Sequence, residues 1–108
     1  MAGVITAFSG SVITTTGSET SGHSVIGSQV SVELVATPVT GTTPSATFSV
    51  QWSDDGTNFA ALAADTFPAI TTAGNYVQSF AVKGQYFKLA WTVTGTTPSF
   101  TVTALAYS

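Results

Sequence analysis

The sequence predicts an all-β protein: a single antiparallel β-sandwich, of the jelly-roll or immunoglobulin-like type, with an extended N-terminal arm. The chain holds 20 Thr and 13 Ser among many β-branched and aromatic residues, whereas strong helix formers are scarce. Several segments alternate between apolar and polar residues, which is the period of a half-buried strand. A length of 108 residues leaves room for one core, so we expect one domain.

The charge content excludes several classes of function. Only 6% of the residues are charged and the net charge is −3. Lys83 and Lys88 alone provide no basic surface, so neither nucleic acid nor an anionic membrane is an expected partner. The chain has no Cys and one His, which excludes disulfides, thiolate catalysis and the usual zinc sites. We therefore expect no cofactor and no metal.

Residues 1–28 are predicted to form an arm that precedes a sandwich domain at 29–108. The arm places two short apolar runs among Gly, Ser and Thr, a composition that is flexible in an isolated monomer. We expect these runs to pair with a sheet or to lie against a neighbouring subunit. The start of the chain lacks the basic and apolar regions of a secretion signal, which predicts synthesis in the cytoplasm without cleavage. The candidate partner-binding residues are Val4, Ile5, Phe8, Val12 and Ile13.

The first two strands of the sandwich are predicted from clean alternation. Residues 29–38 place Val30, Val32 and Leu34 on one face. Residues 46–53 alternate in the same way, with Phe48, Val50 and Trp52 facing inward. An Asp-Asp-Gly sequence follows at 54–56 and favours a turn, because Asp side chains bond to nearby backbone and Gly tolerates positive φ.

The remaining strands are predicted along the second half of the chain. Residues 59–74 are rich in Ala and favour a short strand or a single helical turn, followed by a crossover. The strands at 76–82 and 86–93 flank Lys83-Gly84-Gln85 and are expected to form a hairpin. A last strand covers 99–107. The inward residues predicted for the last two strands are Phe87, Leu89, Trp91, Val93, Phe100, Val102 and Ala104.

A repeated segment stands out within this pattern. VTGTTPSATFSV at 39–50 returns almost unchanged as VTGTTPSFTVTA at 93–104, with a spacing of 54 residues. Gly and Pro between two strands are typical of a hairpin connection, so the repeat predicts the same hairpin used twice. Because the flanking sequences agree poorly, we favour two similar turns over a true duplication.

The sequence offers little support for an enzyme. No nucleophile-elbow motif accompanies the single His, and adjacent acids in a turn are better explained by capping than by glycosidase chemistry. The loop at 54–58 also lacks the ligand spacing of a recognised calcium loop, so we interpret it as a plain turn. The acidic and imidazole side chains weighed for these roles are Glu19, His23, Glu33, Asp54, Asp55 and Asp65.

A carbohydrate-binding or adhesion module is the alternative from another class. Exposed aromatic rings on a sandwich stack against sugars, but Trp52 and Trp91 continue inward-facing patterns and are expected to fill the core. A sugar site would then depend on the remaining aromatic rings and the nearby polar turn. Its candidate residues are Tyr76, Tyr86, Asp54, Asp55 and Asn58.

The low charge also predicts that the sheet edges are covered. Soluble monomers protect free edges with Lys, Pro or other charges, and few are available here. A small, Thr-rich sandwich with an arm therefore suits a repeated part of a larger assembly, where edges and arms meet neighbouring copies.

Two segments resemble those of small β-sandwich structural proteins of tailed bacteriophages. They are VQWSDDGTNF at 50–59 and GQYFKLAWTVTGTTPSFT at 84–101, and residues 1–28 take no part in the resemblance. The resemblance implies a non-enzymatic virion protein of the head decoration or cement type, which stabilises the capsid. It implies a trimer on the capsid surface, with the arm against the major capsid protein or a neighbouring copy. Tail and head–tail joining proteins remain alternatives.

Overall fold

The computed structural model describes residues 4–25 and 27–107, and the strands there form antiparallel pairs. The strands are β1 (Val4–Ile13), β2 (Gly17–Ser18), β3 (His23–Ser24), β4 (Gln29–Ser53), β5 (Ala60–Thr66), β6 (Gly74–Ala81) and β7 (Tyr86–Tyr107). No helix occurs in these ranges. The all-β, antiparallel fold predicted from the sequence is confirmed.

Two strands, β4 and β7, pair with each other along most of their length and organise the fold. They have 25 and 22 residues. At about 3.3 Å per residue, a straight strand of that length would extend roughly 80 Å, whereas the molecule is 40 Å in its longest dimension. Both strands therefore bend near their middle and divide the sheet into two halves.

The two halves contain different neighbours of the central strands. In the first half, the start of β4 and the end of β7 lie between β6 and β1. In the second half, the end of β4 and the start of β7 lie between β5 on one side and β2 and β3 on the other. Side chains from both halves meet in one hydrophobic core, as expected for a sandwich.

The repeated VTGTTPS segments form the bend, and the prediction that they are hairpin turns is wrong. The two copies pair with each other, with Thr42 opposite Thr96, instead of returning the chain on itself. Gly41 and Gly95 have φ of 114° and 118°. A Cβ on Gly41 would lie 2.7 Å from the carbonyl oxygen of Thr97, so glycine is required where the two backbones cross.

The pairing pattern on either side of this crossing repeats with the same spacing of 54 residues. His23 lies opposite Phe87 in the second half, and Val77 lies opposite Glu33 in the first half. Adding 54 to residue number 23 gives 77, and subtracting 54 from 87 gives 33. The first pair therefore maps onto the second. The fold thus has an approximate internal two-fold relation, which is exact for β3 and β6. The expectation that the repeat is not a true duplication stays a prediction.

The second expected hairpin, between the strands at 76–82 and 86–93, is also absent. β6 pairs with β4 over eight consecutive residues, and the start of β7 pairs with the other half of β4. The Lys83-Gly84-Gln85 turn therefore carries the chain from one half of the sheet to the other. Of the short strand or helical turn expected within 59–74, the structure contains a strand, β5.

The inward faces predicted from alternation agree with burial. The predicted core residues of β4 and the end of β7 are buried, as are Phe87 and Leu89, whereas Trp91 and Val93 are only half-buried. Within the predicted arm, the described residues form strands of the same sheet, and Ile13 enters the core. The division of the chain into an arm at 1–28 and a sandwich domain at 29–108 stays a prediction. The buried residues of β4 and the end of β7 are Val30, Val32, Leu34, Phe48, Val50, Trp52, Phe100, Val102 and Ala104.

Candidate functional site

A groove of about 380 Å³ lies between β1 and the segment that contains β2 and β3. β1 lines it with Phe8 and Val12, and Trp91 of β7 also lines it. Glu19 and His23 contribute polar groups on the opposite side. Most of the groove is therefore built from the N-terminal part of the chain, which the sequence predicts to contact a partner.

Glu19 fixes the polar side of this groove to the sheet. Its backbone N–H donates to the carbonyl oxygen of Leu89 at 2.9 Å, and its Oε1 accepts from the N–H of Leu89 at 2.8 Å. Its Oε2 lies 2.8 Å from His23 Nε2. The Glu19 carboxylate thus replaces a missing strand partner between β2 and β3.

The same ion pair sets the protonation of His23. The hydrogen bond to Glu19 raises the pKa of His23 above its ordinary value, and partial burial opposes that effect. Each oxygen of the Glu19 carboxylate accepts or shares one of these bonds, so the pair holds the segment in place. Among the described residues, no group of three or more His, Cys, Asp or Glu side chains is placed to hold a metal ion.

The candidate partner-binding residues of β1 are divided between core and surface. Val12 is 64% exposed, whereas Ile13 is 6% exposed and belongs to the core. Ile5 and Phe8 are half-buried and pack against the core, and the ring of Phe8 meets that of Trp91 edge-on at 5.6 Å. The side chain of Val4 lies outside the described part of the structure. The exposed surface of β1 thus centres on Val12.

The turn at 54–58 is closed by its own hydrogen bonds. Asp55 Oδ1 accepts from the backbone N–H groups of Thr57 and Asn58 at 2.8 and 2.9 Å, and Oδ2 accepts from the Asn58 side chain at 2.8 Å. These bonds, led by the backbone bond from Asn58, hold the pKa of Asp55 far below its ordinary value. Asp54 accepts from the N–H of Gln85 at 3.1 Å. The carboxylates therefore stabilise the turn, as its interpretation as a plain turn predicts.

The aromatic residues weighed for a sugar site are separated. Tyr86 lies against the 54–58 turn, since a Cβ on Gly56 would be 3.5 Å from its ring. Tyr76 belongs to β6 in the other half of the sheet, where its hydroxyl donates to the carbonyl oxygen of Thr72 at 2.6 Å. The sequence candidates thus form one cluster around the turn, and Tyr76 lies on a different half.

A buried polar network surrounds Trp52. The indole Nε1 donates to Asp65 Oδ2 at 2.7 Å, and Lys83 Nζ donates to Asp65 Oδ1 at 2.9 Å. Asp65 is 3% exposed, so its charge is neutralised inside the molecule by Lys83. Trp52 itself is 6% exposed and offers no stacking face to a ligand.

The outer face of the first half carries an apolar patch, which we define as Val77, Leu105 and Tyr107. Val77 and Leu105 both lie opposite Glu33 on the central strand β4. Val77 is 60% exposed and Tyr107 is 53% exposed. Exposed apolar side chains grouped in this way are typical of contact surfaces between proteins.

Sequence reasoning missed two features of these surfaces. The sequence indicated Glu19 only as a candidate acid for catalysis. Its bonds to Leu89 were not predictable, because they join residues 70 positions apart. The sequence predicted Val77 only as a residue of the strand at 76–82. Its exposure on the outer face could not be predicted, because it depends on which strands lie beside β6. The alternation of β6 did contain a signal, since Val77 has the opposite parity to the buried Phe80.

The described residues include no helix long and apolar enough to cross a membrane. No protein-family model matches the chain, and no curated protein matches it significantly.

The chain does resemble parts of two solved virus structures. One is a chain of the T13 particle of infectious bursal disease virus, with a TM-score of 0.57 and 19% identity. The other is a chain in the structure of the Gx strain of that virus, with a TM-score of 0.56 and 18% identity. Each match covers 99% of this chain but only 30% and 31% of the viral chains. The chain is thus similar in fold to about a third of a virus-particle protein.

Proposed function

We propose that this chain is a non-enzymatic structural protein of a virion, located on the capsid surface as a decoration or cement protein. The observation that carries the proposal is the fold likeness to chains of an icosahedral virus particle, which extends over 99% of this chain. The low charge, the exposed apolar patches and the resemblance of two segments to tailed-phage proteins support it. In this role the protein strengthens a shell by burying surface between subunits, and no chemistry is required.

The surface of β1 and the adjoining groove are the proposed contact with a major capsid protein. Val12 offers an exposed apolar side chain beside the groove, and Phe8 and Trp91 extend the apolar surface within it. Ile5 contributes from the same strand, whereas Ile13 is occupied by the core of its own chain. An apolar centre with a polar rim formed by Glu19 and its neighbours has the composition of a protein interface.

The experiment that tests this role measures the protein in virus particles. Virus particles are purified and analysed by quantitative mass spectrometry. The chain is expected in them at a fixed ratio to the major shell protein. Its absence from purified particles would contradict a virion role. A few copies per particle would contradict decoration and favour the tail or head–tail joining alternative.

Point substitutions then test the contact surface. Particles that lack the chain are incubated with the wild-type protein or with Val12→Asp, and bound protein is measured after sedimentation. Binding is expected to fall for Val12→Asp, because the change places a charge in an apolar contact. Leu62→Asp is the matched control, since Leu62 is exposed on β5 and lies outside the groove. Equal binding of both variants and the wild type would exclude β1 as the contact.

We do not propose the carbohydrate-binding alternative, because both tryptophans are engaged within the molecule. Trp52 is buried against Asp65, and Trp91 is half-buried between Phe8 and Phe48 at centroid distances of 5.6 and 5.7 Å. The trimer that the phage resemblance implies stays a prediction, and it competes with the two-fold contact proposed below for the purified protein. Light scattering during size-exclusion chromatography measures the native mass and decides the number of copies.

A further inference from the structure

β6 has the most regular open edge among the described strands. It pairs with β4 over eight consecutive residues without a register shift, and its sequence, GNYVQSFA, contains neither a charge nor a proline. Its other side has no strand partner in the described parts of the chain. A long, uncharged edge of this kind pairs readily with another strand.

The other outer strands are protected in ways that proteins commonly use. β1 has two register shifts, and β5 has an irregularity opposite β4 followed closely by Pro68. β2 and β3 pair with β7 over only two residues each, and β3 contains His23, which bonds to Glu19. β3 is related to β6 by the internal two-fold relation. The open edge of β6 is therefore a specific difference between otherwise similar halves.

The pairing with β4 determines which backbone groups face outward on β6. The N–H of Val82 donates to the carbonyl oxygen of Ser28 at 3.0 Å, in the same register as the strand. In antiparallel pairs the bonded residues alternate, so even-numbered residues of β6 bond to β4. The N–H and C=O groups of Asn75, Val77, Ser79 and Ala81 therefore point away from the sheet. The carbonyl oxygen of Ala81 already accepts from Lys83 Nζ at 3.0 Å, so the open part of the edge is the stretch from residue 75 to residue 79.

We propose that this edge pairs with the β6 edge of a second copy, antiparallel and centred on Val77. The free backbone groups lie at residues 75, 77 and 79, which are spaced symmetrically about Val77. A second copy rotated by 180° about Val77 therefore presents its donors and acceptors opposite those of the first copy. Val77 then exchanges two backbone hydrogen bonds with Val77 of the second copy, and Asn75 pairs with Ser79 in both directions. The pairing joins two first halves into one continuous sheet.

Side chains and charges favour a second copy as the occupant of this edge. The two exposed Val77 side chains become neighbours on the outer face, which covers part of each Val77. The nearest charge is Glu33, one strand inward. Two such residues would be separated by three strand spacings, roughly 14 Å, beyond the screening length of about 8–10 Å in ordinary buffers. This pairing concerns the purified protein and does not depend on a virion role.

Disulfide trapping tests both the pairing and its register, because the chain has no cysteine of its own. Opposed residues of a bonded antiparallel pair have Cα atoms about 5.5 Å apart, within the range of a disulfide. Val77→Cys is therefore expected to oxidise to a covalent dimer. Val12→Cys is the matched control, since Val12 is similarly exposed on the β1 edge. Equal rates of dimer formation for the two variants would overturn the proposal.

A mixing experiment makes the register decisive. Asn75→Cys and Ser79→Cys are each expected to stay monomeric on oxidation, because their own copies lie about 13 Å apart along the strand. A mixture of the two variants is expected to give the heterodimer. Cross-linking of Asn75→Cys alone as readily as the mixture would contradict a pairing centred on Val77.

Proline substitutions separate loss of pairing from loss of folding. Val77→Pro removes an N–H that β4 does not use, so the variant is expected to fold and to lose the two-fold contact. Gln78→Pro removes an N–H that bonds to β4 and is expected to lower the urea midpoint. Light scattering of the wild-type protein is expected to show a concentration-dependent dimer. A single-chain mass at every concentration, a trimer, or a Val77→Pro variant that dimerises like the wild type would overturn the proposal.

Discussion

The crossing of β4 and β7 leads to a quantitative prediction for Gly41→Ala. The backbone φ at Gly41 is 114°, far from the left-handed region that other residues adopt at moderate cost. An added Cβ would lie 2.7 Å from the carbonyl oxygen of Thr97 and 2.9 Å from the Cα of Pro98. Both neighbours are backbone atoms, so the contact is relieved only if the two strands move apart.

The expected loss of stability combines backbone strain with this contact. A residue held in a rarely populated region costs roughly 1–3 kcal/mol, and an overpacked methyl group costs a further 1–3 kcal/mol. We expect Gly41→Ala to lower the free energy of unfolding by about 4 kcal/mol. Gly95→Ala is expected to behave in the same way, because its Cβ would lie 2.7 Å from the carbonyl oxygen of Thr43.

Gly10→Ala is the matched control for this effect. Gly10 also has positive φ, at 58°, but an added Cβ would meet nothing within 4 Å. Its expected cost is about 1–2 kcal/mol of backbone strain alone. Urea unfolding followed by tryptophan fluorescence measures both losses. Equal urea midpoints for Gly41→Ala and Gly10→Ala would refute the argument that the crossing excludes a side chain.

Three further outcomes follow from the polar contacts. Asp65→Ala is expected to lower the free energy of unfolding in urea by about 2–3 kcal/mol, because it leaves the buried indole N–H of Trp52 without its acceptor. A smaller loss of stability than that caused by Asp54→Ala, which removes an exposed acid, would contradict this expectation. Since Glu19 raises the pKa of His23, the protonated imidazole contributes stability below its unfolded pKa that is lost as pH rises through the folded pKa. The stability difference between wild type and His23→Gln is therefore expected to be larger at pH 5 than at pH 8.5, and the reverse order would refute the ion pair. NMR titration of Asp55 is expected to give a pKa well below its ordinary value, and an ordinary value would show that the turn is open in solution.

The alternation of side chains allowed the sequence to predict the all-β class and much of the core. Val30, Val32 and Leu34 are buried, as their spacing predicts, because a strand places every second residue on the same face. The Asp-Asp-Gly turn was equally predictable, since the hydrogen bonds of Asp55 join residues at most a few positions apart. These features depend on local geometry, which a short segment contains within itself.

Only the tertiary structure decided which strands pair and therefore which surfaces exist. Gly, Thr and Pro in VTGTTPS suit a tight turn as well as a bend in a long strand, and the choice depends on contacts between copies 54 residues apart. The same limit applies to Glu19, whose partner Leu89 lies far along the chain, and to Val77, whose exposure follows from the open edge of β6. Strand alternation fixes the two faces of a strand, whereas the neighbours on its two edges are set by long-range pairing that local sequence does not encode.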